Sequence, residues 1–163
     1  MSVHWPMTRI LHVLDHSLPA HSGYTFRTRA LMRAQAAKGW AVAGVTGVRH
    51  PEPGPDGETV DGLTFYRTLP IAPARAPIRE WREIGALAKR VEALAKEWKP
   101  DVLHAHSPVL DGLAALRVGK KLGIPVIYEI RAFWEDAAVG NGTGREGSLR
   151  YRLTRSLETH AVK

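Results

Sequence analysis

The chain has no cysteine among its 163 residues. That absence excludes a disulfide scaffold, a thiolate zinc site and a cysteine nucleophile, and it fits a reducing compartment. No apolar run approaches the roughly 20 residues that a membrane span requires. The opening residues, MSVHWPMTRI, lack the apolar core of a secretory signal, so a cytoplasmic protein is expected. Aromatic residues make up only 7% of the chain and do not interleave with basic ones as in RNA-binding motifs. No helix-turn-helix signature accompanies them. The loop over residues 15–24 is neither the G-x-G-x-x-G of a dinucleotide site nor a P-loop, since no GKS or GKT follows it. No G-x-S-x-G elbow exists, and Ser107 is followed by Pro108, so a Ser-His-Asp nucleophile is not expected.

What remains is an ordinary globular composition, 44% hydrophobic and 24% charged, of a length that suits one domain. Lysine and arginine number 23 against 16 acidic residues, for a net charge of +7. A surplus of that sign suits an anionic partner: nucleic acid, an anionic membrane face or a phosphorylated small molecule. The basic residues are spread along the chain, at Arg27, Arg29 and Arg33, at Lys89 and Arg90, at Lys120 and Lys121, and at Arg150, Arg152 and Arg155. Without a reading motif, that spread argues against nucleic acid.

Residues 9–14, RILHVL, read as a buried parallel strand, followed by a Pro/Gly-rich loop to Gly23. Helical spacing of Phe26, Ala30, Leu31, Ala34 and Ala37 predicts a helix over 25–38, with Gly39 at its C-terminal end. Residues 40–45 form a second strand, completing a right-handed crossover. Asp61-Gly62 between two strand-like runs, 58–60 and 63–67, predicts a hairpin. A proline-broken connector over 69–77 extends the chain. Ile78, Trp81, Ile84, Leu87, Val91, Leu94 and Trp98 then mark the apolar face of a helix over 78–98. A strand over 101–106, a helix over 109–122 and a strand over 124–130 follow. Ser148 or a neighbour caps a last, basic helix that still runs at Lys163. The alternation predicts an α/β fold, a Rossmann-like open and mostly parallel sheet with helices on both faces and the hairpin inserted.

Ligands of such sheets bind beyond the carboxyl ends of the strands. Three segments should meet there: the loop after Leu14, the residues around His106 and the stretch after Ile130. In the loop, Ser22 and Gly23 precede a helix, where free N–H groups and the positive dipole end suit a phosphate or a sugar hydroxyl; a plain Ser cap and turn Gly is the alternative. His104 and His106 share one side of their strand, and His12 and His16 share one side of theirs, by the period of two. A metal there is not expected, since no acidic residue has matching spacing. A hydrogen-bonded core histidine at His104, with His106 reaching the cleft, is the simpler reading. Glu129 and Arg131 lie on one side and are positioned to pair, with Phe133, Trp134, Glu135 and Asp136 just beyond.

SGY at 22–24, DVLHAHSP at 101–108 and VIYEIRAFWED at 126–136 together resemble the N-terminal domain of family 4 glycosyltransferases. The subgroup most similar is the bacterial one associated with exosortase and exopolysaccharide loci. The resemblance implies a GT-B enzyme of two Rossmann-like domains facing a cleft, retaining anomeric configuration without a metal or other cofactor. The nucleotide-sugar is held mainly by the second domain, and the glycan or lipid-linked acceptor mainly by the first. It also implies docking on the inner face of the cell membrane through basic surface. Carried onto this chain, it assigns Ser22, Gly23, Tyr24 and His106 to acceptor or phosphate binding, and Arg131, Glu129 and Asp136 to the reaction centre. This sequence departs in having Ser22 where the family usually has a second glycine, and Arg131 where it often has a histidine. An arginine is always protonated and cannot serve as a base. The family's E-x7-E pair has no counterpart, so the chain is expected to be the acceptor-side half of a longer enzyme and inactive alone. A non-catalytic sugar- or nucleotide-binding module is the alternative.

Overall fold

The computed structural model describes residues 7–51, 56–131, 140–142 and 145–162. Among the described residues, six strands form one sheet in the order β3-β4-β2-β1-β5-β6. The strands are β1 (Arg9–Leu14), β2 (Ala41–Thr46), β3 (Glu58–Val60), β4 (Leu63–Arg67), β5 (Val102–His106) and β6 (Val126–Glu129). All neighbours pair in parallel except β3 with β4, the predicted hairpin. The helices among the described residues are α1 (Gly23–Ala37), α2 (Ile78–Trp98), α3 (Val109–Leu122) and α4 (Leu149–Ala161). The predicted mostly parallel sheet with helices is the observed fold.

Residues of β1 alternate between two apolar layers, as the strand period requires. Leu11 and Val13 join Val45, Leu103 and Ala105 under Leu87, Val91 and Leu94 of α2 and Ala114, Ala115 and Val118 of α3. Leu14 faces the other way, with Met32 of α1, Leu63 and Phe65. His12 lies on this α1 side, and the register carries the side across the sheet. His12 pairs with Gly44 and His104, Gly44 with Phe65, and His106 with Glu129. A run of polar residues therefore lines the sheet beside α1 while the α2–α3 side stays apolar.

Side-chain chemistry sets the helix ends. Ser22 caps α1 by accepting from the Thr25 N–H, so α1 begins at Gly23 rather than at the expected 25. Ser148 caps α4 through the Tyr151 N–H. Gly123, at a φ of 70°, ends α3 in the left-handed conformation. Gly119 has another reason to be glycine: a Cβ there would lie 2.4 Å from Val126 Cγ2, so its absence lets β6 close onto α3.

Arg67, at the end of β4, is only 6% exposed. It donates to Ser17 Oγ (2.6 Å), the Leu18 carbonyl (2.7 Å) and Glu58 Oε2 (2.9 Å). Those bonds fasten the loop after β1 to the hairpin, because a buried guanidinium needs every partner it can reach. Among the described residues, no helix is long and apolar enough to cross a membrane.

A candidate active site at the strand ends

Glu129 closes β6, and its carboxylate is shared on both sides. Oε2 lies 3.2 Å from His104 Nε2 and 3.3 Å from His106 Nδ1. Oε1 lies 2.8 Å from Arg27 Nη2 and 3.3 Å from Arg131 Nε. The pairing of Glu129 with Arg131 foreseen from the sequence is present. With two guanidiniums on one oxygen and two imidazoles on the other, Glu129 acts as an anchor for its neighbours rather than as a free base.

Arg131 is fixed from several directions. Its Nη1 donates to Thr28 Oγ1 (2.7 Å) and to the Tyr24 carbonyl (3.1 Å), and its backbone N–H donates to Ser107 Oγ (3.0 Å). The guanidinium also lies 4.6 Å from the centre of the Tyr24 ring, a cation–π distance. Burial lowers its affinity for the proton, opposed by Tyr24 and Glu129. Nη2 is buried and has no hydrogen-bond partner among the described residues.

Behind the carboxylate sits a stack of imidazoles. His12 Nδ1 is 2.9 Å from His106 Nε2, and His12 Nε2 is 2.7 Å from Gln35 Oε1. The His104 and His106 rings lie 4.3 Å apart, nearly parallel. Burial is the largest cause holding all three neutral; it takes His12 down to about 3 and pushes His104 and His106 down as well. His106, expected to reach the cleft, is fully buried, because β6 and α1 cover it through Glu129, Arg27 and Arg131. Nor does His12 share its surroundings with His16. β1 ends at Leu14, so His16 lies in the loop, and His12 instead meets His104 and His106 across the β1–β5 ladder.

One ligand atom from each of His12, His104 and His106 falls within 4.8 Å of the others, a grouping that could hold a metal. The register supplies the acidic neighbour that sequence spacing could not show, since Glu129 stands across from His106. Arg27 and Arg131 oppose a cation, however: both positive charges already lie on this carboxylate.

The first loop forms the other half of the site. His16 Nδ1 is 2.9 Å from Asp15 Oδ2, His16 Nε2 is 2.8 Å from Ser22 Oγ, and the His16 ring stacks on Tyr24 at 4.6 Å. Tyr24 thus touches both halves. A Ser-His-Asp arrangement, not expected for want of an elbow motif, is present in this loop. Ser22, Gly23, Tyr24, His106, Glu129 and Arg131 are all brought to one end of the sheet. Asp136, with Phe133 and Trp134, lies outside the described residues.

Residues 22–162 match the Glycosyl transferase 4-like domain. The chain belongs to that family. Solved structures share the fold at low sequence identity. Sucrose-phosphate synthase from Thermosynechococcus elongatus aligns with 15% identity and a TM-score of 0.67, over 94% of this chain and 40% of that one. MurG from Acinetobacter baumannii aligns with 18% identity and a TM-score of 0.52, over 77% and 35%. The glycosyltransferase SnogD from Streptomyces nogalater gives 17%, 0.52, and 77% against 34%. The chain therefore spans well under half the length of these enzymes. No curated protein sequence matches it.

Within this glycosyl transferase 4-like domain, Arg27, Thr28 and Gln35 belong to the site and were not singled out for it from the sequence. Thr28 and Gln35 are buried on the inner side of α1, seven positions apart, while the largely exposed Arg27 reaches Glu129 from beside them. Arg27 was read only as part of the spread of positive charge.

Proposed function

We propose that this domain is the acceptor-side half of a retaining glycosyltransferase that moves a sugar from a nucleotide-sugar to a lipid-linked or polysaccharide acceptor. The observation that carries the reading is the fixed Arg131 cation at the carboxyl ends of β5 and β6, beside the N-terminus of α1. Departure of a nucleoside diphosphate builds negative charge, and a preorganised guanidinium stabilises such charge without reorganising. Glu129 holds Arg131 and Arg27 in place. The N–H groups at Ser22 and Gly23 suit a phosphate or a hydroxyl of the acceptor. With Glu129 engaged on both oxygens, the proton of the acceptor hydroxyl passes to the departing phosphate. Membership of the exosortase and exopolysaccharide subgroup rests on the VIYEIRAFWED stretch.

Docking on an anionic membrane face is part of the same reading. Leu69, Ile78 and Trp81 are 80%, 57% and 70% exposed, and Arg75, Arg79 and Arg82 flank them in sequence. Sedimentation with vesicles containing anionic lipid tests this, and Trp81→Ala should weaken binding.

The test of the main reading is release of nucleoside diphosphate by the full-length protein from a panel of common sugar nucleotides. Release that falls by about 100-fold in Arg131→Gln is expected, the size seen when a charge-stabilising donor is removed. No release with any donor would overturn the reading and favour a binding module instead.

A further inference from the structure

The sugar-transfer reading uses the backbone N–H groups of the loop between β1 and α1, but not the side chains of Asp15 and His16 or the Ser22 hydroxyl. An ionised carboxylate can only accept, so Asp15 Oδ2, 2.9 Å from His16 Nδ1, puts the imidazole hydrogen on Nδ1. The other nitrogen, Nε2, is then bare in the neutral ring, and the hydroxyl 2.8 Å away, Ser22 Oγ, must donate to it. The hydroxyl's lone pairs face Thr25, whose N–H lies at 3.1 Å and whose Oγ1 lies at 3.0 Å. The direction of every proton in the chain is thus set by one carboxylate. Stacking on Tyr24 fixes the ring, and Tyr24 is itself held by the Asp15 N–H at 3.2 Å and by Arg131.

This is the order of nucleophile, base and orienting carboxylate that acyl transfer uses. Asp15, His16 and Ser22 are each partly exposed, so the arrangement can be reached from solvent. Ser22 is also the N-cap of α1. The N–H groups of Gly23 and Tyr24, in the first turn, have no intrahelical acceptor and are the donors such a mechanism would draw on for its oxyanion. Nothing lies within 4 Å of where a Gly23 Cβ would be, which leaves room for a substrate against the serine.

We propose that Ser22 is an activated nucleophile that cleaves small acyl esters, such as an acetylated sugar hydroxyl. Oγ attacks the carbonyl carbon while its proton passes to His16 Nε2. The carbon–oxygen bond to the alcohol breaks, and the alcohol departs with that proton. Water then adds to the acyl carbon, giving a proton to His16, and the acid leaves as Oγ takes the proton back. Thr25 Oγ1 releases Oγ so that a lone pair is free for the attack, and the negative charge develops on the carbonyl oxygen of the ester.

A fluorophosphonate probe, with p-nitrophenyl acetate as a turnover substrate, tests the site in the full-length protein without any knowledge of donor or acceptor. Labelling mapped to the peptide containing Ser22 is expected. Ser22→Asp keeps a cap acceptor for α1 and should fold and stay unlabelled at that position. Asp15→Asn and His16→Gln should slow labelling and ester turnover, by up to roughly 10⁴-fold if the three act as in other triads. Two results would overturn the proposal. One is a folded wild-type protein whose Ser22 takes no label. The other is labelling as fast in His16→Gln as in wild type, which would mean that the serine reacts without its base. Neither touches the sugar-transfer reading, whose failure would show only in nucleotide release.

Discussion

Glu129 stands directly across from His106 in the β5–β6 ladder, and that single register position joins a buried imidazole to the two guanidiniums of the site. The Arg131 side chain is 6% exposed and Glu129 20%. Removing the carboxylate would leave Arg131 buried without its counter-charge. Glu129→Ala should destabilise by about 3 kcal/mol, at the low end for breaking one side of a buried pair, because Glu129 keeps some solvent. Urea denaturation measures it. Arg131→Met placed on Glu129→Ala should recover part of the loss, and additive losses would argue against the pair.

The imidazole stack predicts acid sensitivity. His12 has an ordinary value of 6.5 when unfolded and about 3 when buried in the fold. A depressed folded value contributes stability that is present above 6.5 and lost as the pH falls toward the folded value. His104 and His106 shift in the same direction, and His50, down to about 4, joins them. Melting temperature should therefore begin to fall just below pH 6.5, before most carboxylates titrate. His12→Gln should flatten the fall, and an unchanged profile would remove His12 from the cause.

Asp111 predicts the opposite sign. It is 3% exposed in the first turn of α3, and its Oδ2 has no hydrogen-bond partner among the described residues. Burial, with Asp15 adding, pushes its carboxyl well above the usual range. Stability from this group is full below the unfolded value, near 3.8, and declines as the pH rises through it toward the folded value. Asp111→Asn should thus stabilise at neutral pH by about 1 kcal/mol, the scale of burying a poorly partnered polar group. The gain should vanish near pH 4. Paired thermal melts at the two pH values check the sign.

Zinc should do little. The three histidines are near enough to hold a metal, but Arg27 and Arg131 both lie against the one carboxylate beside them. Adding zinc, or stripping metal with a chelator, should leave the melting temperature of the purified protein unchanged. A rise of several degrees with zinc would show that the histidine stack is a metal centre.

Much of this architecture was legible in the sequence because it depends on local pattern. The apolar spacing of α2 gave its bounds as 78–98, and Asp61-Gly62 marked the hairpin, whose backbone is left-handed at both residues. The site was legible only where several chemical groups sit close together in sequence, as at 126–136. Register and helix orientation decided the rest. His12 meets His106 because β1 lies beside β5, and Gln35 reaches His12 because α1 crosses that side of the sheet. The Asp15, His16 and Ser22 arrangement was missed for a different reason. A turn of the loop brings residues six apart into contact, and no strand or helix period announces such a turn.

Arg67 gives the hairpin a second meaning. Its guanidinium holds Glu58 at one side and Ser17 and Leu18 at the other, so an insertion at the sheet's far edge is braced against the loop that carries Ser22. Edits to the hairpin are then edits to the reaction end of the domain. A shortened or swapped hairpin would loosen the loop without altering any residue in it. For engineering, the outer two strands are a control point for the site rather than a replaceable ornament.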